Sequence, residues 1–70
     1  MVTVYTKENC VQCKFVKKWL VRHHVKFVEK SVAERLAEFK AQGLLQAPIV
    51  YRDDILVTTG FAPNKLSELL

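Results

Sequence analysis

Two cysteines, two glycines and two prolines are all that this 70-residue chain contains of those residue types. Nothing in it is Ser-rich, Pro-rich or repetitive, so no linker, solenoid or low-complexity tract is expected. Residues 1–70 therefore read as one domain, near the size where a hydrophobic core only just outweighs chain entropy. Two cysteines cannot build the disulfide framework of a secreted mini-protein. No apolar run is long enough to span a membrane, and Met1-Val2-Thr3-Val4-Tyr5 lacks a basic segment followed by an apolar one. These absences lead to the expectation of a soluble, monomeric protein of the reducing cytoplasm, with no membrane partner.

Charge of one sign is in mild excess, with a formal net charge of +4. The basic residues are mostly single and interleaved with apolar ones, and no nucleic-acid motif or aromatic stacking platform accompanies them. Nucleic acid is therefore not expected as a partner. A preference for acidic protein partners is.

The two cysteines stand three residues apart, in Tyr5-Thr6-Lys7-Glu8-Asn9-Cys10-Val11-Gln12-Cys13. At the first turn of a helix that spacing puts both on one face, close enough for an unstrained disulfide. A thiol at a helix N-terminus meets unpaired backbone N–H groups and the positive end of the macrodipole, which favours its thiolate. Cys10 is placed to be that nucleophile and Cys13 to be its resolving partner. An i,i+3 bridge closes so small a loop that it restricts the unfolded chain little, which argues for a redox pair over a staple.

Around this stretch the elements read in order. Val2 to Tyr5 is a short strand of strong β formers. Asn9 is a candidate N-cap, and residues 10–24 are helical, with Val16, Trp19, Leu20 and His23 along one side. Lys14, Lys17, Lys18 and Arg22 supply most of the other side, and Lys17 falls one turn after Cys13, where it can favour a thiolate. Val25 to Glu29 is a second strand, joined to the first by a right-handed parallel crossover. Ser31-Val32-Ala33-Glu34 is a capping box opening a helix with Val32, Leu36 and Phe39 as its apolar stripe and Gly43 as its stop. The stretch Leu44-Leu45-Gln46-Ala47-Pro48 leads into a third strand, with Pro48 at its start. Asp53-Asp54 makes a hairpin turn to a fourth strand, Ile55 to Thr58. Gly60 breaks that strand, and Pro63 opens a last helix in which Leu66, Leu69 and Leu70 face inward. The fold class is α/β, in the order β-α-β-α-β-β-α: a four-stranded mixed sheet flanked by three helices. A strand ending in C-x-x-C at a helix start, followed by this order, is a minimal thioredoxin fold.

His23 and His24 suggest zinc together with the cysteines, but geometry argues against it. Ten helical residues separate Cys13 from His23, roughly 15 Å of axial rise. Four ligands must converge about 2.0–2.3 Å from the metal. The histidines read instead as residues of the helix C-terminus.

The chain resembles the glutaredoxin-like NrdH-redoxins over nearly its whole length. The carrying residues are Tyr5-Thr6, Cys10-Val11-Gln12-Cys13, Gln46-Ala47-Pro48-Ile49-Val50, and Gly60-Phe61 followed by Pro63. The resemblance implies a small electron donor to the large subunit of class Ib ribonucleotide reductase, recharged by thioredoxin reductase. It implies no cofactor beyond the redox-active Cys10–Cys13 disulfide and no bound metal. It also implies a cis Pro48 facing the dithiol, with the Ala47 backbone open to a substrate strand. Val11, Gln12, Ala47, Pro48, Thr59, Gly60 and Phe61 are then the partner-binding residues. Many members carry Trp-Ser-Gly-Phe-Arg-Pro-Asp where this chain has Thr58-Thr59-Gly60-Phe61-Ala62-Pro63-Asn64.

Two other readings share the C-x-x-C. A glutathione-dependent glutaredoxin usually offers a Gly-Gly pair and an acidic residue before the last helix, which Thr59-Gly60-Phe61 does not supply. A metal-carrier domain of the ferredoxin-like type has the order β-α-β-β-α-β and enters its motif through Met-Thr-Cys, whereas this chain enters through Glu8-Asn9.

Overall fold

A computed structural model describes residues 1–44 and 46–70, so Leu45 in the expected approach to the third strand lies outside the described residues. Four strands form one sheet: β1 (Val2–Thr6), β2 (Phe27–Ser31), β3 (Ile49–Arg52) and β4 (Ile55–Thr59). Helix α1 is Val11–Arg22, α2 is Leu36–Ala41 preceded by a 3₁₀ turn at Val32–Arg35, and α3 is Pro63–Leu66 running into a 3₁₀ turn at Ser67–Leu69. The spatial order of strands is β2-β1-β3-β4. β1 runs parallel to β2 and antiparallel to β3, and β4 is antiparallel to β3 with a register shift between Val50 and Tyr51. This is the expected mixed sheet in the expected order, a thioredoxin-like fold, and the helix between β2 and β3 separates it from the ferredoxin-like order.

Strand alternation divides the core in two. On one face Val2, Val4 and Val50 pack with Val16 and Leu20 of α1 and Leu66 of α3. On the other, Tyr5, Ile49 and Tyr51 pack with Phe39 of α2. The aromatic face is crossed by a cation: the Arg35 guanidinium lies 5.4–5.6 Å from the ring centroids of Tyr5, Phe39 and Tyr51. It also donates to the Tyr5 hydroxyl at 3.2 Å, which together with its bond to Glu38 raises its pKa above the ordinary arginine value.

Several expected boundaries move, each for a local reason. α1 ends at Arg22, and His24 takes the left-handed conformation with φ 59. Its N–H donates to Val21 O at 3.1 Å and the Val25 N–H to Leu20 O at 2.9 Å, a Schellman stop built without glycine. Val25 and Lys26 are thereby spent on the helix end, and β2 starts two residues later than expected. The same motif recurs at Gly43, φ 73, where the Leu44 N–H donates to Phe39 O at 2.8 Å, so Leu44 folds back over the core.

The capping box forms: Ser31 Oγ accepts from the Ala33 N–H at 3.1 Å, and the Ser31 N–H donates to Glu34 at 3.2 Å. Yet it opens a 3₁₀ turn before α2 and leaves Leu36 exposed, so the expected stripe reduces to half-buried Val32 and buried Phe39. His23 is exposed and lies against Trp19, ring centroids 4.0 Å apart, and does not join the core. Leu70 is 67% exposed because the last turn is 3₁₀ and carries it off the inward face, while Leu66 is buried and Leu69 half-buried.

Candidate active site

The chain leaves β1 at Thr6 and turns into α1 through Lys7, Glu8 and Asn9. Asn9 makes the turn with φ 55, a left-handed conformation that its short polar side chain tolerates. That occupies Asn9 outside the helix and corrects its assignment as N-cap. The cap is Cys10 itself, extended at φ −109 and ψ 105, with its Sγ accepting the Cys13 N–H at 3.1 Å. A sulfur therefore stands where Ser, Thr or Asp usually satisfies an orphan amide of the first turn.

Cys10 and Cys13 are joined as a disulfide with their Cα atoms 5.3 Å apart. Cys10 is 8% exposed and Cys13 2%, so an incoming sulfur meets Cys10 first. Cys10 forms part of a shallow hollow of about 300 Å³ with Lys7, Val11, Gln12, Gln46 and Ala47.

Three segments are tied together around the disulfide. The Ala47 carbonyl oxygen lies 3.8 Å from Cys10 Sγ, and the Ala47–Pro48 peptide is cis. Thr59, paired with Ile49 at the end of β4, delivers Gly60 to Pro48, whose carbonyl accepts the Gly60 N–H at 2.8 Å. Gln12 Oε1 then accepts the Phe61 N–H at 2.9 Å. Gly60 has φ 74, and a Cβ there would stand 2.9 Å from Gln12 Oε1. Both the conformation and the close approach require glycine. All the residues expected at the site thus converge on one end of the sheet.

Lys17 is the exception among the charges. It was expected to favour a thiolate from one turn beyond Cys13, and instead its Nζ binds Glu29 Oε2 at 3.0 Å. The same oxygen accepts from Thr6 Oγ1 at 2.9 Å. The hydrogen bonds from Lys17 and Thr6 hold the Glu29 carboxyl below its ordinary range. Since this cation is partnered, what favours a Cys10 thiolate is the helix terminus together with Lys7, which lines the same hollow. No Asp or Glu is buried among the described residues.

Sequence reasoning missed Gln46, a wall of the hollow, and Phe15, whose ring packs on Phe61 at a centroid distance of 5.7 Å. Phe15 carried a usable signal, an aromatic on the lysine-rich side of α1. Gln46 carried none.

A family model for glutaredoxin matches residues 2–57 of this chain. The glutaredoxin-like protein NrdH of Lactococcus lactis subsp. cremoris is 42% identical over 72 residues, covering 99% of each chain. Among solved structures, the NrdH-redoxin of Escherichia coli superposes with a TM-score of 0.89 at 30% identity, covering 99% of this chain and 93% of its own. The thioredoxin-like protein BC3987 superposes with a TM-score of 0.82 at 30% identity, covering 100% of both chains. With its helix-capping C-x-x-C disulfide, the chain belongs to the glutaredoxin family as an NrdH-type glutaredoxin-like thiol–disulfide oxidoreductase.

Proposed function

We propose that this protein is a cytoplasmic electron donor to the large subunit of class Ib ribonucleotide reductase and is recharged by thioredoxin reductase. The Cys10 thiolate attacks one sulfur of the partner's disulfide and expels the other as a thiolate, leaving a mixed disulfide. Cys13 loses its proton, attacks the Cys10 sulfur and releases the partner's second thiol. Two electrons pass to the partner and the Cys10–Cys13 disulfide remains. The pair carries both electrons itself, so the proposal includes no cofactor and no metal. Ala47, at the bend beside Cys10, offers its backbone to a substrate strand, and Pro48, buried behind it with its carbonyl bonded to Gly60, backs that bend. Val11, Gln12, Thr59, Gly60 and Phe61 shape the surface that strand crosses.

One observation carries the choice of reductant. Glutathione has two carboxylates and is held by positioned, charge-assisted hydrogen bonds. In the segment before the last helix, the N–H groups of Gly60 and Phe61 are already spent on Pro48 O and Gln12 Oε1. Surface lysines without positioned donors give little affinity under screening. A protein dithiol needs no such donors.

The test is NADPH oxidation with insulin or class Ib reductase as acceptor. Sustained turnover is expected with thioredoxin reductase and poor turnover with glutathione and glutathione reductase. The reverse pattern would promote the glutathione-dependent reading.

A further inference from the structure

The net charge of the whole chain resides on one helix. α1 carries Lys14, Lys17, Lys18 and Arg22 and no acid, and elsewhere seven basic residues stand against seven acidic ones. Lys17 is paired with Glu29, whereas Lys14, Lys18 and Arg22 are exposed and have no ion-pair partner among the described residues. Between these cations runs apolar surface. Val11 is 63% exposed, Phe15 47% and Phe61 37%. Val11, Phe15 and Trp19 follow one another at four-residue spacing, which aligns them along one face of the helix. A groove of about 620 Å³ opens beside them, with Phe15, Trp19 and Phe61 as its apolar walls and Lys18 and Arg22 among its cations.

This surface is continuous with the redox site. Val11 belongs both to the stripe and to the hollow of Cys10, and Gln12 anchors Phe61 to the start of α1. Apolar surface of this extent beside a reactive disulfide, bordered by unpaired cations, has the character of a docking surface.

We infer that the Phe15–Trp19–Phe61 groove on α1 docks an acidic, amphipathic segment of the protein whose disulfide Cys10 attacks. The segment's aliphatic or aromatic side chains lie on Phe15, Trp19 and Phe61, and its carboxylates face Lys14, Lys18 and Arg22. This deepens the reading of the protein as a protein-disulfide reductase and rests on it. It adds a contact remote from the sulfurs that selects among protein partners by charge.

The test separates docking from chemistry by using a cysteine-free peptide. A synthetic amphipathic Glu/Leu peptide is titrated into the oxidised protein at low salt, beside a Lys/Leu analogue of the same apolar pattern. Trp19, the only tryptophan, reports directly on the groove by its fluorescence. Saturable change is expected with the Glu/Leu peptide alone, with amide NMR shifts along Val11, Phe15, Trp19 and Phe61. Arg22→Glu weakens binding about threefold to fivefold, and physiological salt weakens it too. The like change Arg52→Glu is the comparison, because Arg52 pairs with Val2 at the opposite end of the sheet from the dithiol and leaves binding as it was.

Equal binding of the Lys/Leu peptide, no binding, or shifts on another face would overturn the inference. So would concentration-dependent self-association in sedimentation with shifts on the same residues, which would make a second copy the occupant. Because the probe has no disulfide, a failure here leaves insulin reduction intact. A failure of the reductase reading appears only in turnover.

Discussion

Cys10 Sγ accepts the backbone N–H of Cys13 at 3.1 Å, so one cysteine of the redox pair is held by the amide of the other. When the bridge is reduced, that N–H points at the thiolate, which adds a hydrogen bond to the charged form beside the helix terminus. Cys13 sits a turn deeper and 2% exposed, without that donor from its partner. The same contact that starts the helix therefore separates the roles of its two sulfurs.

The first consequence is an order of reactivity. In the reduced protein Cys10 is expected to titrate below an ordinary cysteine, near 8.5, and Cys13 above it. Iodoacetamide labelling across pH, mapped by mass spectrometry, should show Cys10 alkylated first at neutral pH. Earlier labelling of Cys13 would reverse the roles.

The turn that closes the site gives a second. Gly60→Ala places a Cβ 2.9 Å from Gln12 Oε1 at φ 74, and is expected to cost about 1–3 kcal/mol. Gln12→Ala removes the acceptor of the exposed Phe61 N–H and should cost about 0.5–1.5 kcal/mol. In the double variant the clash is gone while the backbone strain and the lost Phe61 hydrogen bond remain, so it costs less than the sum of the two single variants. Urea unfolding of the four proteins measures this, and strict additivity would mean that Gln12 does not set the turn.

At the other end of α1, His24 bears a left-handed conformation at φ 59 with nothing but its position in the stop motif to demand it. His24→Gly is expected to stabilise the protein by about 0.5–1 kcal/mol, raising the melting temperature by roughly 2–8 °C. A fall in melting temperature would show that the imidazole contributes more than the strain it suffers.

Glu29 supplies a pH dependence. Its folded pKa is lowered by the hydrogen bonds from Lys17 and Thr6, so its contribution to stability is complete above the ordinary glutamate range and is lost as pH falls through the folded value. Wild type and Glu29→Gln should differ in urea midpoint at pH 7 and converge as pH falls below about 4. A difference that persists unchanged at pH 3 would place the effect outside this titration. Glu29 is exposed enough for the effect to be small.

What was legible in the sequence follows from how local each signal is. The order of elements, the parallel crossover, the capping box at Ser31 and the role of Gly43 were readable because each rests on hydrophobic period or on a residue type that serves one purpose. Cys10–Cys13 was readable from spacing alone. The stop at His24 was not, since a left-handed histidine gives no sign in composition, and the start of β2 moved with it. Asn9 was assigned to the wrong task because asparagine suits both a cap and a left-handed turn, and the identity of the true cap depended on a sulfur acting as acceptor. Lys17 was placed by helical spacing against Cys13, and Glu29, on a strand 12 residues away in sequence, took it instead. The ties between Gln12 and Phe61 and between Pro48 and Gly60 join segments distant in the chain, and only the folded sheet brings them together.

The central claim is that Cys10 attacks and Cys13 resolves. It is tested most directly by mixing Cys13→Ser and Cys10→Ser separately with an oxidised protein substrate and running non-reducing gels. With the resolving thiol removed, the mixed disulfide on Cys10 has no fast intramolecular exit. Cys13→Ser should accumulate as a covalent complex that dithiothreitol dissolves, and Cys10→Ser should remain free. Equal trapping by both variants, or trapping by Cys10→Ser alone, would contradict the account.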